Sequence, residues 1–369
     1  MRTDRCRFLE YEITQAKGGL VQNKTVTSMI SAVVMLVLVI AVRADECVAY
    51  QKLPGKGVTV KQGRCTWDTG WFHETLVRRA LIELGYSCEV PKMLQNPMFY
   101  ASVTQGTLDF WANSWFPNQY PQLPKNFEEK AGAYGYVVKN GGLQGYLVDK
   151  KHQEKFNITS LDDFKREEVK KAFDSNGDGK ADLMGAPTGW AVAKVMAHHL
   201  KVYGLEAHIN LVQASYNALF ADVLGKFKSG EAVLYYTWTP NWSVYKLKPG
   251  KDVVWINVPE IKPMEAYADQ ADRMVASGVE GAVSDPIKFG LIINDIRIVA
   301  NKQFVQKNPA AKKLFEVFEV SVADISAQNA KMKNGEKSQK DIDRHVDEWI
   351  EVNQDKWNGW LEAARQAAP

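Results

Sequence analysis

From residue 57 onward the chain alternates short apolar strands with amphipathic helices, and this alternation leaves few architectures open. Gly57 to Lys61 reads as a strand, Phe72 to Leu84 as an amphipathic helix closed by Gly85, and Cys88 to Val90 as a second strand. Strand, helix, strand is the signature of a parallel α/β unit. A helix is expected from about Pro97 to Gln105, after which Leu108 to Asn113 runs as a strand into a turn at Trp115. Gly145 to Asp149 opens another series. In it Leu161 to Phe173 is helical, with Ser160 as its cap and Asp162 and Asp163 in its first turn. Ala191 to Tyr203 is also helical, and Val233 to Tyr236 forms a strand ending at Trp238. Ile292, Ile293 and the stretch Ile296 to Val299 supply later strand material, Pro309 to Ser321 a helix, and Asp341 to Ala368 a terminal helix or helix pair. No repeat or low-complexity linker separates these elements. A two-lobed body whose chain crosses between lobes more than once has that property.

The chain of 369 residues, 46% hydrophobic and 24% charged, is long enough for two ordinary domains. Met29 to Val42 is an uncharged apolar run, preceded by Lys24 and followed by Arg43-Ala44, in the pattern of a secretory leader cleaved near Ala44. Its 14 residues fall short of the roughly 20 that span a bilayer as a helix. The segment before Met29 is long and mixed in charge for such a leader, which places the translational start at Met29. Beyond Ala44 the chain carries 40 basic and 40 acidic residues, so the formal charge of +3 belongs to the leader. No basic stripe with interleaved aromatics speaks for a nucleic-acid partner. Cys47, Cys65 and Cys88 follow the leader, an odd number that fixes no pairing, and zinc-ligand spacings are absent. Asp45-Glu46 argue against Cys47 as a lipid anchor.

Three tryptophans lie beside chain-turning residues: Trp115 before Phe116-Pro117, Trp190 after Gly189, and Trp238 before Thr239-Pro240. Strand ends are where ligands lie in open α/β sheets. The indole face attracts a cation that has no N–H to donate, such as a quaternary ammonium group. The competing reading is that large aromatics fill the core. If they wall a binding site, replacing each with alanine leaves folding largely intact.

At these residues the chain resembles the family of periplasmic glycine betaine/proline betaine-binding proteins of osmoprotectant ABC importers. The likeness runs from about Leu53 to the C-terminus. It is carried by Phe173-Asp-Ser-Asn-Gly-Asp-Gly-Lys-Ala-Asp-Leu183, Tyr235-Tyr-Thr-Trp-Thr-Pro240, Leu247-Lys-Pro-Gly-Lys-Asp-Val-Val-Trp255, Val299-Ala-Asn-Lys302 and Lys307-Asn-Pro-Ala-Ala311. The resemblance implies an α/β two-lobe periplasmic-binding-protein fold of the class with two crossovers and a ligand cleft between lobes. One lobe would comprise residues 53–143 with about 293–369, the other about 144–292. It further implies a tryptophan box of Trp115, Trp190 and Trp238 around a trimethylammonium head, with the ligand carboxylate on the amides of Ala191 and Val192. A helix starting there supplies free N–H groups and a positive dipole end. The partner would be an ABC permease, the location periplasmic, no cofactor would be required, and a receptor that opens and closes is most simply a monomer.

Two departures qualify the likeness. Ala186 and Val192 stand where the family has a disulfide beside the second tryptophan, and Gln119 replaces a histidine that helps hold the carboxylate. Gln119 can still donate through its amide. Trp67 and Trp71, in the loop after the first strand, either enlarge the box or cap the lobe. Alternatives within the class are receptors for choline, carnitine or a sulfonium analogue. An exported enzyme acting on a methylated amine has less support, because no nucleophile motif accompanies His73 and Glu74, and a sensory domain has less, because a second membrane segment or signalling module is not expected from the sequence.

Asp174, Asn176, Asp178, Lys180 and Asp182 alternate around Gly177 and Gly179 with the ligand spacing of an EF-hand-like calcium loop, but Gly185 stands where the closing acid belongs. The loop is either a structural calcium site or a set of Asx turns. His198 and His199 are adjacent, so a helix points them in different directions, away from shared metal binding.

Overall fold

Two separate sheets organise the chain in a computed structural model that describes residues 53–369. The leader expected over residues 1–44, the start at Met29 and Cys47 lie outside the described residues. In the first sheet the strand Asn294–Asn301 lies between Phe110–Phe116 and Ala131–Gly142, antiparallel to both. The second has the order Val253–Ile256, Gln144–Asp149, Leu234–Trp238, Ala181–Met184, Ile209–Val212. Its first two pairings are antiparallel and its last two are parallel.

The opening strand–helix–strand unit forms as expected. Thr59–Val60 pairs in parallel with Ser87–Cys88, with Val60 opposite Cys88. The helix Trp71–Glu83 between them turns Phe72, Leu76, Val77, Ala80 and Leu81 inward at helical spacing. Elsewhere antiparallel pairing enters both sheets. The chain leaves the first sheet, builds the second, and returns as Asn294–Asn301, which enters between two strands already made and runs against both. Cys65 and Cys88 are free.

Two expected elements differ locally. Trp115 belongs to the strand Phe110–Phe116, opposite Ile296, and is not on a turn beyond it. The helix expected over Leu161 to Phe173 is two pieces, Leu161–Lys165 and Glu167–Phe173, broken where Arg166 is extended. Ser160 caps the first piece in a reciprocal capping box with Asp163. The terminal segment is a pair, Gln339–Val352 and Gln354–Ala367, broken at Asn353. Trp349 stacks on Trp360, which also meets Trp357 and Phe318, closing the pair onto the body. Trp357 Nε1 donates to Glu83 Oε2 at 3.1 Å.

The two passages between the sheets lie side by side. Gly142, the last residue of its strand, pairs with Asn294, the first of the returning strand, and Gln144 begins the second sheet. Gln144 Nε2 donates to the carbonyl of Ile292 at 3.3 Å, and Asn294 Nδ2 donates to the same carbonyl at 2.8 Å. The architecture is thus a two-lobed α/β fold with the lobes joined by adjacent strands. Contacts from one body to the other include Tyr267 Oη donating to Asn118 O at 2.6 Å and Lys333 Nζ over the buried Trp242 ring at 3.9 Å.

A side chain at Gly142 has no room. A Cβ there would sit 2.9 Å from both Asn294 O and Trp115 Cζ3. Gly142→Ala is therefore expected to cost about 1–3 kcal/mol of stability by urea denaturation. An unchanged midpoint would show that the crossing has slack.

Candidate functional site

Beside the crossings is a cavity of about 40 Å³. Trp67, Trp115, Trp190, Trp238 and Tyr236 form its aromatic walls. Its polar lining comes from Asn96, Asn118, Gln119 and Gln144, and Ala191 and Val192 complete it. No residue in this lining carries a formal charge. Burial drives the Tyr236 hydroxyl well above its ordinary range, so it stays neutral.

Each wall is held by something specific. The indole Nε1 of Trp115 donates to Asn113 Oδ1 at 2.9 Å. An indole N–H can only donate, so this bond fixes which end of the Asn113 amide faces it. The other end, Nδ2, donates to Cys65 Sγ at 3.1 Å, and the thiol donates to Trp67 O at 2.9 Å. One buried chain of hydrogen bonds therefore ties the Trp67 loop to the Trp115 strand. In the second sheet, strand alternation puts Tyr236 on the same face as Trp238, ring centroids 5.9 Å apart, and Tyr236 Oη donates to Gln144 Oε1 at 2.7 Å. Trp190 is the N-cap residue of the helix Ala191–Val202. Its ring lies 5.2 Å from Trp238 and 5.7 Å from Trp67, edge to face in both cases, and stacks on Tyr216 at 5.9 Å.

The N–H groups of Ala191 and Val192 are the first two of their helix and have no acceptor among the described residues, although both residues are buried. Buried backbone N–H groups are nearly always paired, and two orphans at a helix N-terminus suit an anion. Gln119 lines the same cavity. Its Oε1 accepts from Tyr100 Oη and from Trp115 N–H at 2.9 Å, which leaves Nε2 as the free end.

The structure thus brings together Trp67, Trp115, Trp190, Trp238, Gln119, Ala191 and Val192, and leaves Trp71 out. Trp71 braces from behind: its Nε1 donates to Cys65 O at 3.0 Å and the Arg64 guanidinium lies over its ring at 5.2 Å. Asn96, Asn118, Gln144 and Tyr236 were not singled out from sequence. Only Tyr236 had a signal there, its two-residue offset from Trp238 in an apolar strand. Trp115 and Trp238 are also core residues, 7% and 3% exposed. Truncating either to alanine carries a cost of about 3–5 kcal/mol, so the expectation that folding survives intact holds best for half-buried Trp190.

The calcium-loop residues are not brought together as a cation cage. Asp174 Oδ1 accepts from Gly177 N–H at 2.7 Å and Oδ2 from Gly179 N–H at 2.9 Å, while Asn176 Oδ1 takes Asp178 N–H at 2.8 Å. Asp178 Oδ1 accepts the Lys180 N–H at 2.9 Å, and Asp182 accepts from Ser175 and Asn210. Among the described residues no group of three or more His, Cys, Asp or Glu is placed to hold a metal ion. The carboxylates accept from local amides, as in Asx turns. His199 is buried between Tyr146 Oη at 2.9 Å and Gly290 O at 3.1 Å, and burial lowers its pKa to about 3, while His198 turns to Lys262 O.

Chains are related to this one across almost their whole length. Residues 58–352 match the family described as the substrate-binding domain of the ABC-type glycine betaine transport system. The glycine betaine-binding periplasmic protein of Dickeya dadantii is 41% identical over 87% of this chain and 94% of its own. The glycine betaine/proline betaine-binding periplasmic protein of Escherichia coli is 40% identical over 85% of this chain and 92% of its own. Among solved structures, lactococcal OpuAC in its closed form with glycine betaine superposes with a TM-score of 0.62 at 19% identity, covering 82% of this chain and 99% of that one. Fold and cavity define a two-lobed solute-binding protein of the periplasmic-binding-protein type. The chain belongs to the family of substrate-binding domains of ABC-type glycine betaine transport systems.

Behind the cavity, Glu74 Oε1 accepts from Cys65 N–H at 3.1 Å and Trp111 Nε1 at 3.0 Å, with Arg64 Nε 3.6 Å from Oε2. Burial raises its pKa from 4.5 to about 7, and burial lowers that of neighbouring His73 from 6.5 to about 4. An unfolded glutamate releases its proton near 4.5 and the folded one keeps it to about 7, so this contribution to stability is full below 4.5 and lost as pH rises through 7. Glu74→Gln should flatten the fall in thermal midpoint between about pH 5 and 8 relative to the parent protein. His73 contributes equally to both curves and cancels in their difference. Parallel curves would show that Glu74 does not titrate in this range.

Proposed function

We propose that the protein is the extracytoplasmic solute receptor of an ABC importer, binding glycine betaine or a related quaternary ammonium osmoprotectant between its lobes and delivering it to the permease. The observation that carries the reading is the pairing of an uncharged aromatic box with two unanswered buried N–H groups. A trimethylammonium head has no N–H to offer and suits indole faces; a carboxylate suits the start of the Ala191–Val202 helix. A zwitterion with no net charge suits a lining with none.

On this reading Trp115, Trp190 and Trp238 surround the ammonium head, Trp67 adds a fourth wall, and Gln119 Nε2 joins Ala191 and Val192 on the carboxylate. Residues 53–143 with about 293–369 act as one lobe and about 144–292 as the other. Ligand bridging them favours the closed state by differential binding. Binding and delivery involve no covalent step and require no cofactor. Export follows cleavage near Ala44, and the receptor works as a periplasmic monomer.

Calorimetric titration of the purified mature protein tests this. Saturable binding of glycine betaine on the order of micromolar, with choline and proline weaker, is expected. An aromatic wall contributes about 0.5–2 kcal/mol, so Trp190→Ala should weaken betaine binding from about twofold to about thirtyfold while the variant stays folded. Equal binding of choline would remove the carboxylate site and keep the box. No binding of either would sink the assignment.

A further inference from the structure

We infer that Asn96 is a further carboxylate donor and the residue that most separates betaine-type zwitterions from quaternary ammonium alcohols. The inference rests on the box-and-carboxylate reading above and deepens it. Asn96 is the first residue of the helix Asn96–Gln105, lines the cavity and is 2% exposed. Its side-chain amide has no hydrogen-bond partner among the described residues, and its Oδ1 is shut off from solvent without a donor. A buried amide left wholly unpaired is rare in a folded protein and calls for a partner that arrives from outside.

Its surroundings indicate which part of a ligand that partner is. Tyr100 lies one turn further along the same helix face and donates to Gln119 Oε1, and Asn96 and Gln119 line the same cavity. The preceding residue, Gln95, faces the other lobe: its Oε1 lies 3.2 Å from where a Cβ of Gly189 would be. Asn96 thus shares its cavity with Gln119 and with Ala191 and Val192, whose free N–H groups suit an anion. A betaine brings only acceptor oxygens, so Asn96 meets it as a donor, its amide turned so that Nδ2 takes the buried position of the unpaired Oδ1. Two backbone N–H groups from one lobe and two side-chain amides from the other then hold the carboxylate. An alcohol such as choline cannot occupy so many donors, and every unpaired donor counts against it.

The test compares betaine and choline affinities in the same proteins. Asn96→Asp keeps size and shape but puts a negative charge where the carboxylate lands. It should weaken betaine binding by at least tenfold to a hundredfold while choline is unchanged or tighter. Asn96→Ala should reduce the betaine-to-choline affinity ratio by roughly tenfold. A residue that only supports the helix start would lower both affinities together and leave the ratio alone, and that result overturns the inference. Thermal midpoints taken on the same samples identify a misfolded variant. Should Asn96→Asp fail to fold, the ratio for Asn96→Ala decides. Failure of the unmutated protein to bind betaine strikes the parent reading, whereas normal binding with an unchanged ratio in the variants strikes only Asn96.

Discussion

A quaternary ammonium group gives a protein nothing to hydrogen-bond, so its recognition depends on flat aromatic faces being held where they are needed. Much of the polar structure around this cavity holds its aromatic walls in place. Trp115 is fixed by Asn113, Asn113 by Cys65, and Cys65 by Trp67 through its thiol, Glu74 through its N–H and Trp71 through its carbonyl. Buried polar networks of this kind are costly when incomplete and rigid when complete. The free thiol is thus a hydrogen-bonding group in a scaffold, and its buried position suits that role.

The walls come from both sheets because of how the chain travels. Asn294–Asn301 returns to the centre of the first sheet, so the crossings at Gly142 to Gln144 and Ile292 to Asn294 must lie together. Gln144 stands at that junction and serves both sides, bonding Ile292 O with one end of its amide and Tyr236 Oη with the other. The cavity is therefore next to the part of the fold that constrains both bodies. Gly142 leaves no spare volume there, which couples the position of the Trp115 ring to the backbone of the crossing.

The local α/β rhythm was legible in the sequence because period and capping are local properties: Trp71–Glu83, Asn96–Gln105 and Ala191–Val202 all fall close to where apolar spacing and turn residues put them. Strand direction was not legible, since the order in which a returning strand enters a sheet is decided by tertiary packing. The indoles announced themselves through the Pro and Gly beside them. Asn96, Asn118 and Gln144 did not, because an amide side chain looks alike whether it lies on a surface or in a cleft, and only burial without a partner separates the two. Trp71 misled for the converse reason: in sequence it reads as part of the Trp67 loop, but it opens the helix Trp71–Glu83 and faces the scaffold.

One contact has a consequence in optics. Trp67 comes from the loop ahead of the first long helix and Trp190 from the second body, and their rings meet edge to face at 5.7 Å. Two indoles so close exchange excitation, and their mixed electronic transitions absorb left- and right-circularly polarised light unequally in the near ultraviolet. That signature belongs to the pair and vanishes when the bodies part. The molecule carries, in its own side chains, a label-free gauge of how far apart its two halves stand.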